Sequence, residues 1–72
     1  MNSILKYFLQ ELPGWQGDED MKSFLIEQCN NWSVEAIQGL AKFMKNENVQ
    51  DPRDAIERII LELDQEVKPR LM

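Results

Sequence analysis

Apolar residues recur at intervals of three and four positions along almost the whole chain, and strand-like alternation is nearly absent. This spacing places apolar side chains on one face of a helix. Residues that start or stop helices divide the pattern into four stretches. The sequence therefore predicts an all-α fold for residues 1–72, a single compact domain of about four short helices near residues 3–12, 18–29, 33–45 and 52–67. Helices and turns of these lengths favour an orthogonal or irregular bundle.

Each predicted helix boundary has a local cause. Pro13 cannot continue the first helix. Asp18 places a carboxylate at the start of the second helix, where it faces free backbone amides. Ser33 is a favourable N-cap for the third helix. At the start of the fourth helix, Asp51 supplies a capping carboxylate and Pro52 suits the first helical position.

The apolar stripes also predict which side chains form the core. In the last helix Leu61 falls on the opposite side from the stripe, so we expect it to be exposed. Pro69 should end that helix, with the ion pairs Asp64–Lys68 and Glu66–Arg70 near its end. The residues expected to face the core are Leu5, Phe8, Leu9, Leu12, Met21, Phe24, Leu25, Cys29, Val34, Ile37, Leu40, Ala41, Met44, Ile56, Ile59, Ile60, Leu63 and Val67.

Composition argues against several classes of function. The chain has 13 acidic and 8 basic residues and a net charge of −5, so it lacks the basic surface of a general nucleic-acid binder. Histidine is absent, which removes imidazole bases and histidine metal ligands. The single cysteine, Cys29, cannot form an internal disulfide, and its spacing suggests a small buried apolar residue. We therefore expect a protein that is not an enzyme and needs no cofactor.

Residues 46–57 partly match the twelve-residue calcium-binding loop, with polar side chains at positions 1, 3, 5, 9 and 12. The sixth position, which needs glycine for a sharp turn, holds Asp51. The central apolar position holds Arg53. Since Asp51 and Pro52 are explained as a helix start, we expect no metal site here.

The second and third predicted helices have the proportions of a helix-turn-helix, which suggests a DNA-binding transcriptional regulator as the alternative function. The outer face of the third helix would then read base edges with Glu35, Gln38, Gly39, Lys42 and Lys45. This face contains no arginine, and the chain as a whole is acidic. We therefore rank DNA binding second and do not expect nucleic acid as the main partner.

The apolar arcs of the second and third helices are wider than one buried face requires. Ile26 and Phe43 widen them, and both are candidate protein-contact residues. The sequence therefore favours a small acidic non-catalytic interaction module, acting as an adaptor, a regulator or a subunit of a larger assembly. Its partner would be another protein or a second copy of itself as a homodimer. Because Lys6 interrupts the early apolar stretch and no apolar run is long enough to span a bilayer, we expect a cytoplasmic protein without a membrane partner.

Overall fold

The computed structural model describes residues 3–67 and contains four helices and no strand in that range. The all-α prediction is confirmed, and each observed helix end lies within two residues of its predicted position. The predicted stop at Pro69, the core position of Val67 and the ion pairs Asp64–Lys68 and Glu66–Arg70 lie outside the residues and side chains that are described. The helices are α1 (Ser3–Glu11), α2 (Glu19–Gln28), α3 (Val34–Glu47) and α4 (Pro52–Val67).

Side-chain caps begin the two middle helices where the sequence predicts them. The Oδ1 atom of Asp18 accepts a hydrogen bond of 2.8 Å from the backbone N–H of Met21. At α3, the hydroxyl oxygen of Ser33 accepts one of 3.1 Å from the backbone N–H of Ala36. Each bond satisfies an amide that has no partner within its own helix, so the local sequence determines where the helix begins.

The end of α3 extends two residues beyond the prediction and closes on a left-handed residue. Asn48 has a φ of 56°, and its N–H bonds the carbonyl of Lys45 at 3.3 Å. The N–H of Val49 then bonds the carbonyl of Met44 at 2.9 Å, which completes a Schellman cap. This cap turns Val49 into the core, where it is 5% exposed. A loop that reads as polar in sequence therefore contributes an apolar anchor.

The packing order of the helices differs from their order along the chain. α1 packs most extensively on α3 and also contacts α2, while α4 contacts both α2 and α3. The consecutive helices α2 and α3 lie diagonally across the core, with no pair of their described Cα atoms within 8 Å. An up-and-down bundle would place consecutive helices side by side, so this bundle has the irregular type of arrangement.

Trp15 joins two connections that are distant in sequence through the core. Its ring is 7% exposed and meets Phe8 edge to face, with centroids 4.9 Å apart and an interplanar angle of 70°. Its Nε1 donates a hydrogen bond of 2.7 Å to the backbone carbonyl of Gln50. The α1–α2 connection is therefore fastened to the α3–α4 connection. The buried apolar core around it comprises Phe8, Leu25, Cys29, Ile37, Leu40, Ala41, Met44, Val49 and Ala55.

Three positions in the predicted α2 and α3 stripes are less buried than expected, and one of them is Met21, which has intermediate exposure. Val34, the first residue of α3, is 40% exposed. The α3 stripe enters the core only from Ile37 onward. On α2, Leu25 and Cys29 are fully buried, whereas Phe24 has intermediate exposure. The apolar spacing thus gave the correct face of each helix but overstated how far that face is covered.

Candidate functional site

The largest departure from the predicted core lies along α4. Ala55 is completely buried, and Ile56 and Ile59 are partly buried against the core. Ile60 and Leu63 continue the same stripe but are 58% and 57% exposed. The prediction that these two side chains face the core is therefore wrong. We call Ile60 and Leu63 the distal α4 stripe.

Leu63 is exposed because of its position along the helix axis, whereas Ile60 also lies about 100° around the helix from Ile59, away from the side that buried Ala55 occupies. At about 100° per residue, the four stripe residues from Ile56 to Leu63 fall within a sector of about 100°, so they share one face. Burial falls between Ile59 and Leu63, which shows that the covering side chains end partway along α4. α4 has 16 residues and α2 has 10, about 24 and 15 Å of helix. Leu61 lies on the other side and is 54% exposed, which confirms its predicted exposure.

Acidic side chains lie at both edges of the apolar face of α4 that runs from Ile56 to Leu63. Glu57 lies about 60° beyond Ile60 around the helix, and Glu62 lies about 60° beyond Ile59 in the other direction. Both glutamates are exposed. The described end of α4 therefore presents an apolar strip between two carboxylates.

The two arginines of α4 are engaged by acids close to them in sequence. Arg53 donates from Nε and Nη2 to the two carboxylate oxygens of Asp51 at 3.0 and 2.9 Å. Its backbone N–H also bonds Asp51 Oδ1 at 2.9 Å. The side-chain hydrogen bonds and charge of Arg53 lower the pKa of Asp51 below its usual range. Arg58 lies 3.4 Å from Asp54 one turn away, on the side of α4 opposite the stripe.

Charge is divided unevenly between the two halves of the bundle. The segment 18–28, which is α2 with its cap, has four acids and one lysine. The segment 51–63 of α4 has four acids and two arginines. In contrast, α1 and α3 each contain equal numbers of acidic and basic residues. The two acidic segments therefore account for the net charge of −5 of the chain, and they belong to helices that contact each other.

The two contact residues predicted from sequence occupy separate places. Phe43 is partly buried and packs against the core. Ile26 has intermediate exposure on α2. Because α2 and α3 are diagonal partners, these residues do not belong to two adjacent helices. Their role in binding stays a prediction, and Ile60 and Leu63, which the apolar spacing assigned to the core, are more exposed than either of them.

The described side chains do not assemble an evident reactive centre. Burial raises the pKa of the Cys29 thiol to about 11, so the thiol stays protonated and poorly nucleophilic at neutral pH. Between residues 3 and 63 no three carboxylates or thiols converge as metal ligands, and no pocket is present. Asp51, from the calcium-loop comparison, is occupied by its contacts with Arg53.

The helix-turn-helix alternative meets two structural differences. The helices of that motif pack against each other, but α2 and α3 do not approach each other closely. Gln38, one of the predicted base-reading residues, donates a hydrogen bond of 2.8 Å to Gln10 of α1. The predicted reading face is therefore partly engaged by another helix of the same domain.

No protein-family model, curated protein or solved structure matches this chain. In the part of the chain that is described, no helix combines the length and apolar character needed to cross a bilayer. Arguments about function therefore depend on the surfaces of the domain, of which the distal α4 stripe is the most apolar one identified.

Proposed function

We propose that this protein is a non-catalytic interaction module that binds another protein through the distal α4 stripe. The observation that supports this proposal is the exposure of Ile60 and Leu63, at 58% and 57%, on the same face of one helix. Adjacent exposed apolar side chains bordered by polar residues are typical of protein-contact sites. An amphipathic helix that contributes such a face is a common recognition element.

The way α4 is anchored favours binding. Its first two turns are held by the Asp51 cap, by fully buried Pro52 and by Ala55. The helix that carries Ile60 and Leu63 is therefore formed before any partner arrives. Binding then avoids the entropy loss of folding a disordered segment.

The size of the stripe indicates a moderate affinity. Each of the two side chains leaves roughly 100 Å² of apolar area in water, and covering both would contribute about 5 kcal/mol as an upper value. Loss of translational and rotational freedom offsets much of that gain. A stable interface usually buries about 800 Å² per partner. We therefore expect either a transient complex or a partner that also contacts residues around the stripe.

The adaptor, regulator and subunit roles expected from sequence, together with a cytoplasmic setting, are part of this proposal. Ile26 and Phe43 remain a second proposed contact region. The intermediate exposure of Ile26 is compatible with that role. Phe43 packs on the core and would contribute less accessible area.

Site-specific photo-crosslinking in the native host tests the proposal. A photoreactive residue is placed at Leu63, at Ile26 or Phe43, and at exposed Lys42 on α3 as the control. We expect adducts of defined mass at position 63, and we expect Ile60→Ser to weaken them while the control position gives none. Equal adducts at positions 63 and 42, or none at 63, would contradict the proposal. Adducts at 26 or 43 without any at 63 would move the contact surface away from α4.

A further inference from the structure

We infer that the occupant of the distal α4 stripe is a basic amphipathic helix of a partner protein, with lysine or arginine side chains that face Glu57 and Glu62. This inference rests on the proposed function and specifies its partner. It follows from charge complementarity: the stripe is apolar, and among the described side chains the exposed Glu57 and Glu62 lie at the two edges of its helix face. Complementary potentials across an interface select partners and accelerate encounter.

The geometry fits a helix packed along α4. Ile60 and Leu63 are three residues apart and form one ridge of the helix surface. Glu57 lies about 60° beyond Ile60 and Glu62 about 60° beyond Ile59, so the two glutamates lie at opposite edges of the apolar face that runs from Ile56 to Leu63. Charged residues at such positions determine which partner helix is accepted. A partner with its own apolar stripe between basic residues would match both features.

A second copy of this chain is a poor occupant. Parallel pairing of two α4 helices would place Glu57 opposite Glu62, and antiparallel pairing would place each glutamate opposite its own equivalent. Both arrangements bring like charges together at the edges of the seam, which disfavours pairing. The neighbouring helix α2 adds four acids against one lysine when its cap residue is included.

A lipid surface is also a poor occupant. Helices that lie on anionic membranes place lysine and arginine on their polar face. Here the residues that border the stripe are acidic, and the negative surface potential of such a membrane would repel them. The same argument predicts that binding to a basic helix weakens as salt screens the charges.

Two synthetic peptides test the inference with the full chain. Both are 21-residue designs, about three heptads, with leucine at the a and d positions; the first has lysine at e and g, and the second has glutamate there. Binding is followed by fluorescence anisotropy and by backbone amide shifts. We expect the lysine peptide to shift the amides of Ile60 and Leu63. We also expect it to bind at least about tenfold more tightly than the glutamate peptide, and less tightly as salt is raised.

Neutral variants then test the two carboxylates. Glu57→Gln together with Glu62→Gln should weaken binding of the lysine peptide by about threefold to tenfold, as expected for losing two solvent-exposed charge pairs. The matched control is Glu35→Gln together with Glu47→Gln, which removes two exposed acids from α3 and should leave the affinity unchanged. Circular dichroism confirms that each variant remains folded.

The outcomes separate this inference from the proposed function. If both peptides bind equally at Ile60 and Leu63, or the neutral variants bind as well as the parent, the basic partner is wrong while a contact surface on α4 survives. If neither peptide shifts α4 and crosslinking at position 63 equals the control, both proposals fail. If sedimentation equilibrium shows a dimer of this chain, and Leu63→Ser returns it to a monomer, a second copy is the occupant and the inference is overturned. If the protein co-sediments with zwitterionic or anionic vesicles, and Leu63→Ser abolishes this binding, the occupant is a lipid surface and the inference is overturned.

Discussion

Gly17 should be intolerant of even one added methyl group, although its backbone does not need glycine. None of the described glycines has a positive φ. A Cβ built at position 17, however, would lie under 3 Å from the Cζ2, Cη2 and Cε2 atoms of Trp15. The indole cannot move freely, because it is buried, packs against Phe8 and bonds the carbonyl of Gln50. Gly17→Ala should therefore displace the ring that joins the two connections.

The expected magnitude follows from overpacking. Forcing an extra methyl group into a packed core costs about 1–3 kcal/mol, and the lower chain entropy of the unfolded alanine variant returns about 0.4–1 kcal/mol. For a domain of this size, a net loss of 1–2 kcal/mol lowers Tm by about 4–16 °C. The matched control is Gly39→Ala, at an exposed helical site where a Cβ meets nothing within 4 Å. That change should raise the free energy of unfolding by about 0.5–1 kcal/mol.

Urea denaturation gives both free energies, and a double-mutant cycle tests the cause. The atoms that the new Cβ would meet lie on the outer ring of the bicyclic indole, and the single ring of phenylalanine at position 15 would not extend as far. In a Trp15→Phe background, Gly17→Ala should therefore lose most of its destabilising effect. An equal effect of Gly17→Ala in both backgrounds, or a Gly17→Ala variant as stable as Gly39→Ala, would refute the proposed steric cause.

Three further predictions concern α4 and the core. Ile59→Ala should lower the free energy of unfolding in urea by about 1–3 kcal/mol, because the side chain of Ile59 packs on the core. Leu61→Ala, at an exposed site, should change that free energy by less than about 0.5 kcal/mol. Equal losses in the two variants would contradict the observed helical face. Alkylation of Cys29 at pH 8 should be limited by opening of the fold, because the thiol is buried. The free energy of unfolding should fall as pH rises from the usual thiol pKa of 9.0 toward the folded pKa of about 11. The variant Cys29→Ala should not show this alkaline loss of stability. Asp51→Ala should destabilise by about 1–2 kcal/mol at pH 7, and Asp51→Asn, which keeps a capping acceptor and loses the ion pair with Arg53, by less. Because the folded pKa of Asp51 is lowered, its ionic contribution is present above the unfolded pKa and disappears as pH falls through the folded value, so the parent and Asp51→Asn should converge in acid.

The helix boundaries were predictable because their causes are local. The caps at Asp18 and Ser33 act within three residues along the chain. Pro52 starts α4 for a reason that is visible in the dipeptide itself. The apolar spacing also identified which face of each helix turns inward. These features do not require knowledge of how the helices are arranged.

The remaining features depend on contacts between distant parts of the chain. The hydrogen bond from Trp15 to the carbonyl of Gln50 links residues 35 positions apart, and nothing in the flanking sequence predicts it. Burial of Val49 depends on the left-handed conformation of Asn48, which turns the chain back toward the core. Exposure of Leu63 depends on where the neighbouring helices end. Periodicity measures angle around a helix and contains no information about coverage along it.

The anchored part of α4 and its exposed part differ in how strongly folding stability constrains their residues. Ile56 and Ile59 stabilise the fold, so substitutions there are constrained by stability. Ile60 and Leu63 contribute little to burial, and an isolated monomer would gain solubility if polar residues replaced them. Two exposed apolar residues that continue a buried stripe are therefore difficult to explain by folding alone. The proposed contact with a partner would account for both the exposure of Ile60 and Leu63 and the acidic residues near them.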